Sequence, residues 1–396
     1  MDSLKGNFII AQGGGPTAVI NASLTGAVVE AFDKLDRSSQ VWGAKDGITG
    51  LLNEAFIDLR NQPDGIWDKI RITPAAALGS CRKKLTEEDL THAVEICRKY
   101  DIRYFIYIGG NDSMDTANKM SKTAQEMHYE MYAAGIPKTI DNDLPETDFC
   151  PGYGSCARYF AQATIDLGAD IRALPTPISV MEVLGRNAGW VTAATMLARK
   201  KPDDAPHLIY VPEAPLSIEK FLYDVKEVYD RRGWVVVTIS EGVCDEHGES
   251  LAASIGKAAV DGFGHALPGD VAPTLAQTIN REFGLRARSE KPGLVARASS
   301  HHVSSVDREA AEGVGRFAAQ HIFTGNTDFM AAIKRESNQP FKVSYFAVPL
   351  EKAANIERLL PRKYINKDKN NITDSFRKYV EPLIGGPLRH YTRLNY

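Results

Sequence analysis

Cysteine is scarce in this chain, and its spacing suggests no pairing. Cys81, Cys97, Cys150, Cys156 and Cys244 are scattered over 396 residues without a C-x-x-C pair. The odd count and wide spacing argue against a disulfide framework and against a zinc site, leaving incidental thiols in a reducing compartment. Long apolar runs are missing as well, since no stretch of eighteen apolar residues offers a membrane span. The first residues lead straight into a strand pattern rather than a charged segment and apolar signal core, so a cytoplasmic protein is expected. An excess of one charge is also absent. Lys and Arg number 47 against 50 Asp and Glu, a formal net charge of −3, which gives no broad field for nucleic acid or a membrane surface. Anionic ligands must then be held by local groups.

The length is too great for one ordinary core and natural for two α/β domains. Apolar runs alternate with helical patterns. Thr86 opens a capping-box-like Thr-Glu-Glu-Asp, and Leu90, Val94 and Cys97 recur on one face before the run Tyr104–Ile108. Ser217 opens another helix with Leu222, Val225 and Tyr229 inward, closing near Gly233 before the run Trp234–Ile239. Such alternation builds parallel sheets with helices on both faces, whose ligand loops lie at the carboxyl ends of strands.

Two segments carry chemistry. Residues 135–143 read Gly-Ile-Pro-Lys-Thr-Ile-Asp-Asn-Asp. If extended, this stretch points Thr139, Asp141 and Asp143 to one face and Ile140 and Asn142 to the other. A hydroxyl and two carboxylates in a row can bind magnesium through oxygen and take a proton from an attacking hydroxyl. Lys138 beside them suits a polyanionic phosphate. A plain surface turn is the other reading, because Pro, Asn and Asp form turns. The second segment is the strand pattern ending in Gly109-Gly110-Asn111-Asp112-Ser113, followed by a helix with Met114, Ala117, Met120 and Ala124 on one face. Strand, glycines and helix let bare backbone and a helix N-terminus approach a phosphate.

Together these segments resemble the phosphofructokinases, whose ATP-using members carry Gly-Gly-Asp-Gly-Ser and Pro-Gly-Thr-Ile-Asp-Asn-Asp. Asp112 and Lys138 stand where the pyrophosphate-dependent branch has aspartate and lysine, so the resemblance implies pyrophosphate as donor. The likeness runs nearly the whole length. Ala11–Asn21, with Gly13, Gly14 and Gly15, is similar to the family's first glycine loop, and Leu78–Arg82 to the segment whose arginine bridges donor and sugar phosphates. Met181–Trp190 resembles the Glu-Val-Met-Gly-Arg motif with Leu184 for methionine, so Gly185 and Arg186 are implied at the sugar and the moving phosphoryl group. Glu241 matches the glutamate that binds sugar hydroxyls, and Arg288 and Arg297 match two arginines that bind the 6-phosphate.

The resemblance implies two doubly wound α/β domains with the active site in the cleft between them. One covers roughly 1–155 with a return near 300–345; the other covers 156–299 with 346–396. It implies phosphoryl transfer from magnesium pyrophosphate to the C1 hydroxyl of fructose 6-phosphate. Asp141 is the expected base; Thr139 and Asp143 position it; Lys138, Arg82 and Arg186 stabilise the moving charge. The donor contacts are Gly14, Gly15, Arg82, Gly110, Asp112, Ser113 and Lys138, and the sugar-phosphate contacts are Thr139, Asp141, Asp143, Leu184, Gly185, Arg186, Glu241, Arg288 and Arg297. Asn111, Asp112 and Asp141 are the expected metal ligands, and a homo-oligomer, dimer or tetramer, is implied. Three positions depart from the family. Asn111 replaces an aspartate, Leu294 a histidine or tyrosine, and Pro177 an arginine that crosses between subunits. They keep open a catalytically silent regulatory subunit; an ATP-dependent kinase is the nearest enzyme alternative, and the departures in the sugar pocket leave use of sedoheptulose 7-phosphate undecided. The segment from Phe341 to Tyr396 resembles the tail of longer bacterial pyrophosphate-type enzymes; Lys363, Lys367 and Lys369 read as a solvated face with no catalytic role.

Overall fold

The computed structural model describes residues 5–173, 176–251 and 270–392. The chain forms two compact units, Met1–Ser155 with Arg297–Arg358, and Cys156–Ala296 with Leu359–Tyr396. Its strands are β1 (Asn7–Gln12), β2 (Val41–Ala44), β3 (Phe56–Asp58), β4 (Ile102–Gly109), β5 (Tyr132–Pro137), β6 (Ile178–Val183), β7 (Leu208–Tyr210), β8 (Val235–Ser240), β9 (Ala287–Glu290), β10 (Phe329–Asn338) and β11 (Phe341–Pro349).

The first unit holds a sheet ordered β11-β10-β5-β4-β1-β2-β3. Its five central strands run parallel, as the apolar runs predict, but both edges are antiparallel. β11 follows β10 through so short a connection that only an antiparallel return is open to it. β4 is buried almost throughout because helices cover both sheet faces. On the helix Asn111–Glu126 the expected stripe of Met114, Ala117, Met120 and Ala124 is fully buried. The helix Glu87–Lys99 begins with the expected box, Thr86 Oγ1 accepting from the Asp89 amide at 3.1 Å and Asp89 Oδ2 from the Thr86 amide at 3.1 Å.

Strand order reverses on the two sides of β1, with β2 on one side and β4 on the other. In a doubly wound sheet that reversal opens a crevice at the carboxyl ends of the strands. The glycine segments after β1 and β4 both emerge there.

The second unit carries a parallel sheet ordered β7-β8-β6-β9. Its helix Ile218–Arg232 runs from a Ser217 cap to a left-handed Gly233. The buried stripe is rotated slightly from expectation. Phe221, Val225 and Val228 form it, and Leu222 and Tyr229 flank it half-buried. Trp190 is core, packed by Tyr364, Phe376 and Tyr379.

Candidate active site

The crevice is assembled by backbone bonds between loops that the sequence keeps far apart. Gly13 donates to the Ile108 carbonyl at 2.8 Å, and Gly14 to the Cys81 carbonyl at 3.0 Å. Buried Gln12 and Asn21 brace the segment that carries Arg82. Gln12 Oε1 accepts from the Leu78 amide at 2.9 Å, Asn21 Oδ1 from the Ala77 amide at 2.9 Å, and the two side chains bond each other at 3.0 Å. A Cβ on Gly13 would meet Tyr107 and Ser113 side-chain atoms at 2.6–2.8 Å, so the close approach of β1 to the second glycine turn requires glycine.

A cavity of about 340 Å³ lies over these loops. Gly14, Gly15, Arg82, Gly110, Asn111, Asp112, Ser113, Lys138, Thr139, Asp141 and Asp143, all expected, line it. So do Lys83, Lys84 and Glu357, which the sequence reading missed. Lys83 and Lys84 follow Arg82 directly, and that run of three cations was the available signal. For Glu357 no local signal existed.

The carboxylate segment is not extended, contrary to the alternation drawn from its sequence. The strand stops at Pro137, Thr139 makes one bridge to Gly152, and Asn142 is left-handed at φ 55°. The Asp141 amide donates to Thr139 Oγ1 at 3.0 Å. Thr139, Asp141 and Asp143 therefore share the cavity through a turn rather than through a pleat. Asn142 is buried away from it, its Oδ1 accepting from the Cys150 amide at 2.9 Å.

Lys138 is the electrostatic centre. It is 3% exposed, and its ammonium donates to the Gly15 carbonyl at 2.7 Å. Burial pushes its pKa down to about 8, against the opposing pull of Asp143 and Asp141, with Arg297 and Arg82 lowering it further. Burial raises Asp143, partly offset by the Thr139 hydroxyl. Arg297 reaches the same glycine loop: a Cβ on Gly15 would lie 2.9 Å from its Nη1 and 3.6 Å from Arg82 Nη2. The structure thus groups Arg297 with the first unit, whereas Arg288 lies on β9 of the second.

Among the described residues no group of three or more His, Cys, Asp and Glu gathers as a metal site. The donors suit a hard cation in another way. Asn111 Nδ2 donates to Asp143 Oδ2 at 3.3 Å, while the buried Asn111 Oδ1 and Asp143 Oδ1 have no hydrogen-bond partner. Orphaned oxygens on two hydrogen-bonded side chains fit magnesium, which needs only one or two carboxylates when phosphate and water complete its shell. Asp112, expected with Asn111, also lines the cavity, with its side chain 78% exposed and 3.8 Å from Lys84. Asp143 is the carboxylate hydrogen-bonded to Asn111.

In the second unit, Leu184, Gly185 and Arg186 leave β6 and Glu241 leaves β8. The Gly185 amide donates to Glu241 Oε1 at 3.2 Å, and Ser240 Oγ donates to the Gly185 carbonyl. Burial raises Glu241, with the Gly185 amide opposing. Arg186 is exposed, and Arg288 is half-buried. Lys291, missed in sequence, bonds Glu182 at 3.1 Å and Asp270 at 3.3 Å. Leu294 is 62% exposed, and Pro177 precedes β6 with its carbonyl accepting from Val235 at 2.7 Å.

Residues 7–322 match the family described as Phosphofructokinase. The chain belongs to that family. A pyrophosphate–fructose 6-phosphate 1-phosphotransferase of Xanthomonas campestris is 40% identical over 390 residues, covering 96% of this chain and 92% of the relative. A crystal structure of a pyrophosphate-dependent phosphofructokinase from Marinobacter aquaeolei superposes with a TM-score of 0.87 at 36% identity, covering 97% of this chain and 92% of that one. A sulfofructose kinase of Alkalicoccus urumqiensis is 30% identical over 381 residues, with 96% and 95% covered. No described helix is long and apolar enough to cross a membrane. The glycine and carboxylate segments fall inside the matched region; Glu357 does not.

Proposed function

We propose that the chain transfers a phosphoryl group reversibly from pyrophosphate to the C1 hydroxyl of fructose 6-phosphate, giving fructose 1,6-bisphosphate and phosphate. The observation that carries this reading is the buried Lys138 ammonium facing Asp141 and Asp143 in a compact cavity. Asp141 takes the hydroxyl proton. The freed oxygen attacks the terminal phosphorus, the bond to the bridging oxygen breaks, and orthophosphate leaves. Thr139 and Asp143 hold Asp141, while Lys138, Arg82 and Arg186 offset the charge; Arg297 adds to the donor side. Glu241 and Arg288 of the second unit, with Leu184 and Gly185, are assigned to the sugar phosphate. Magnesium would be held by Asn111, Asp143 and Asp141 and would neutralise diphosphate charge. Positioning and electrostatics supply most of the rate in such transfers.

A purified-protein assay with magnesium, fructose 6-phosphate and either pyrophosphate or ATP tests the donor, with sulfofructose as the control acceptor. Turnover with pyrophosphate and little with ATP is expected; the opposite preference overturns the reading. The variant Asp112→Gly with Lys138→Gly should shift the ratio of donor kcat/KM values toward ATP, and an unchanged ratio removes those side chains as the discriminator. The bonds broken and formed are both phosphate linkages, so a reverse rate with inorganic phosphate within an order of magnitude of the forward one is expected. A negligible reverse rate counts against pyrophosphate as donor.

A further inference from the structure

The family match ends at residue 322, and the segment from Phe341 onward offers in sequence only a resemblance to the tail of longer bacterial pyrophosphate-type enzymes, with no catalytic role assigned. Its first part is tied to the cavity at three successive places. Asn355, left-handed at φ 57°, donates from its side-chain amide to Asp115 Oδ1 at 2.9 Å, on the helix that follows the second glycine turn. Glu357 lines the cavity itself. Arg358 then crosses the carboxylate turn. Its backbone amide donates to the Asp143 carbonyl at 2.6 Å. Its guanidinium donates to the Asn142 carbonyl from Nε at 3.2 Å and from Nη2 at 2.8 Å, and from Nη1 to the carbonyls of Thr147 and of Asp148, the latter at 3.2 Å.

Residues 142–148 lie outside every strand, so these carbonyls have no ladder donors and need others. A planar fork with five donors can serve three carbonyls at once; an ammonium on a flexible stem cannot hold that geometry. The far end of the loop is fixed to β10, the Ile333 amide donating to Thr147 Oγ1 at 3.0 Å and the Asp148 amide to the Ile333 carbonyl at 2.9 Å. At the near end Asp141 and Asp143 sit on either side of the left-handed Asn142, where Thr139 Oγ1 accepts from the Asp141 amide and Asn142 Oδ1 from the Cys150 amide. Arg358 adds the clamp on the Asn142 carbonyl and, through its own amide, on the Asp143 carbonyl.

We propose that Arg358 is a positioning residue for phosphoryl transfer, holding the Asp141–Asp143 turn over the donor cavity from a segment beyond the family match. This rests on the reading of Asp141 as the base. Its effect falls on orientation rather than on substrate contact, and a displacement near 1 Å at a reacting group can lower a rate about 100-fold.

The test compares the parent with Arg358→Lys and Arg358→Gln by steady-state kinetics with magnesium pyrophosphate and fructose 6-phosphate, and by amide hydrogen exchange. For folded Arg358→Lys, kcat should fall roughly 10- to 100-fold, both KM values should stay within about threefold, and peptides covering 139–150 should exchange faster. Arg358→Gln should lose more. A folded Arg358→Lys with kcat within about twofold of the parent, or with a raised KM and unchanged kcat, overturns the proposal. If Arg358→Gln does not fold, Arg358→Lys decides alone. If the parent itself fails to use pyrophosphate, the functional reading falls while the exchange measurement still decides whether Arg358 orders the turn; unchanged exchange over 139–150 overturns it.

Discussion

Asp141→Asn should lower kcat by at least about 100-fold while leaving both KM values nearly unchanged, because it removes a proton acceptor without removing volume. The turn that presents the residue does not depend on the carboxylate for its local bond: the Asp141 backbone amide, not its side chain, donates to Thr139 Oγ1. Asn142, Arg358 and Thr139 all remain to keep the loop in place. An asparagine can still accept a hydrogen bond from the sugar hydroxyl, so binding survives, but it cannot carry the proton away. The chemical step then relies on water or on the diphosphate itself. Initial rates in both directions, with circular dichroism to establish folding, check this. A folded variant that keeps parental turnover ends the assignment of Asp141 as base, and a loss confined to KM makes the residue a binding group.

Elements of both units were legible where each is specified by neighbours in sequence. Apolar runs marked β1, β4 and β8; Thr86 with Asp89 marked the start of the helix Glu87–Lys99; and the stripe Met114, Ala117, Met120 and Ala124 marked the buried face of the helix Asn111–Glu126. The site residues were legible mainly through short segments, and eleven of them line one cavity. Their geometry was not. A period-two reading of Thr139, Asp141 and Asp143 places them together, but it assumes extended backbone, whereas Asn142 turns left-handed. What stabilises that turn is an arginine 216 residues later, and no local pattern announces a contact at that distance. Asp112 illustrates the same limit. The resemblance implies it as a metal ligand, but no local pattern announces that it pairs with Lys84 across the cavity or that Asn111 bonds Asp143, 32 residues later.

Lys138→Met should reduce kcat/KM for pyrophosphate by about 100- to 1,000-fold, the loss typical of one preorganised donor to developing charge, and should at the same time remove a pH dependence of stability. The ammonium is buried, and desolvation lowers its pKa from 10.5 to about 8. The sign follows from proton counts. Between about pH 8 and 10.5 the unfolded lysine keeps its proton while the folded one has lost it, so the unfolded state binds more protons and stability rises with pH in that window. Below about pH 8 the folded state carries the full burden of a desolvated charge, roughly 3 kcal/mol for a shift of this size. Methionine has no such burden. The difference in unfolding free energy between variant and parent should therefore favour the variant most near pH 7 and shrink toward pH 10, offset in part by the lost bond to the Gly15 carbonyl. A bound diphosphate acts in the opposite direction, since its negative charge favours the ammonium. Pyrophosphate binding to the parent should take up a proton above about pH 8 and weaken as pH rises further. Calorimetric titrations in two buffers of different ionisation enthalpy count that proton, and denaturant titrations of both proteins across pH 7 to 10 read the stability difference. A variant that loses activity but shows the parental pH profile of stability would place the lysine proton on the cavity surface in solution, and proton-neutral binding above pH 8 would remove Lys138 as the cation that receives the donor.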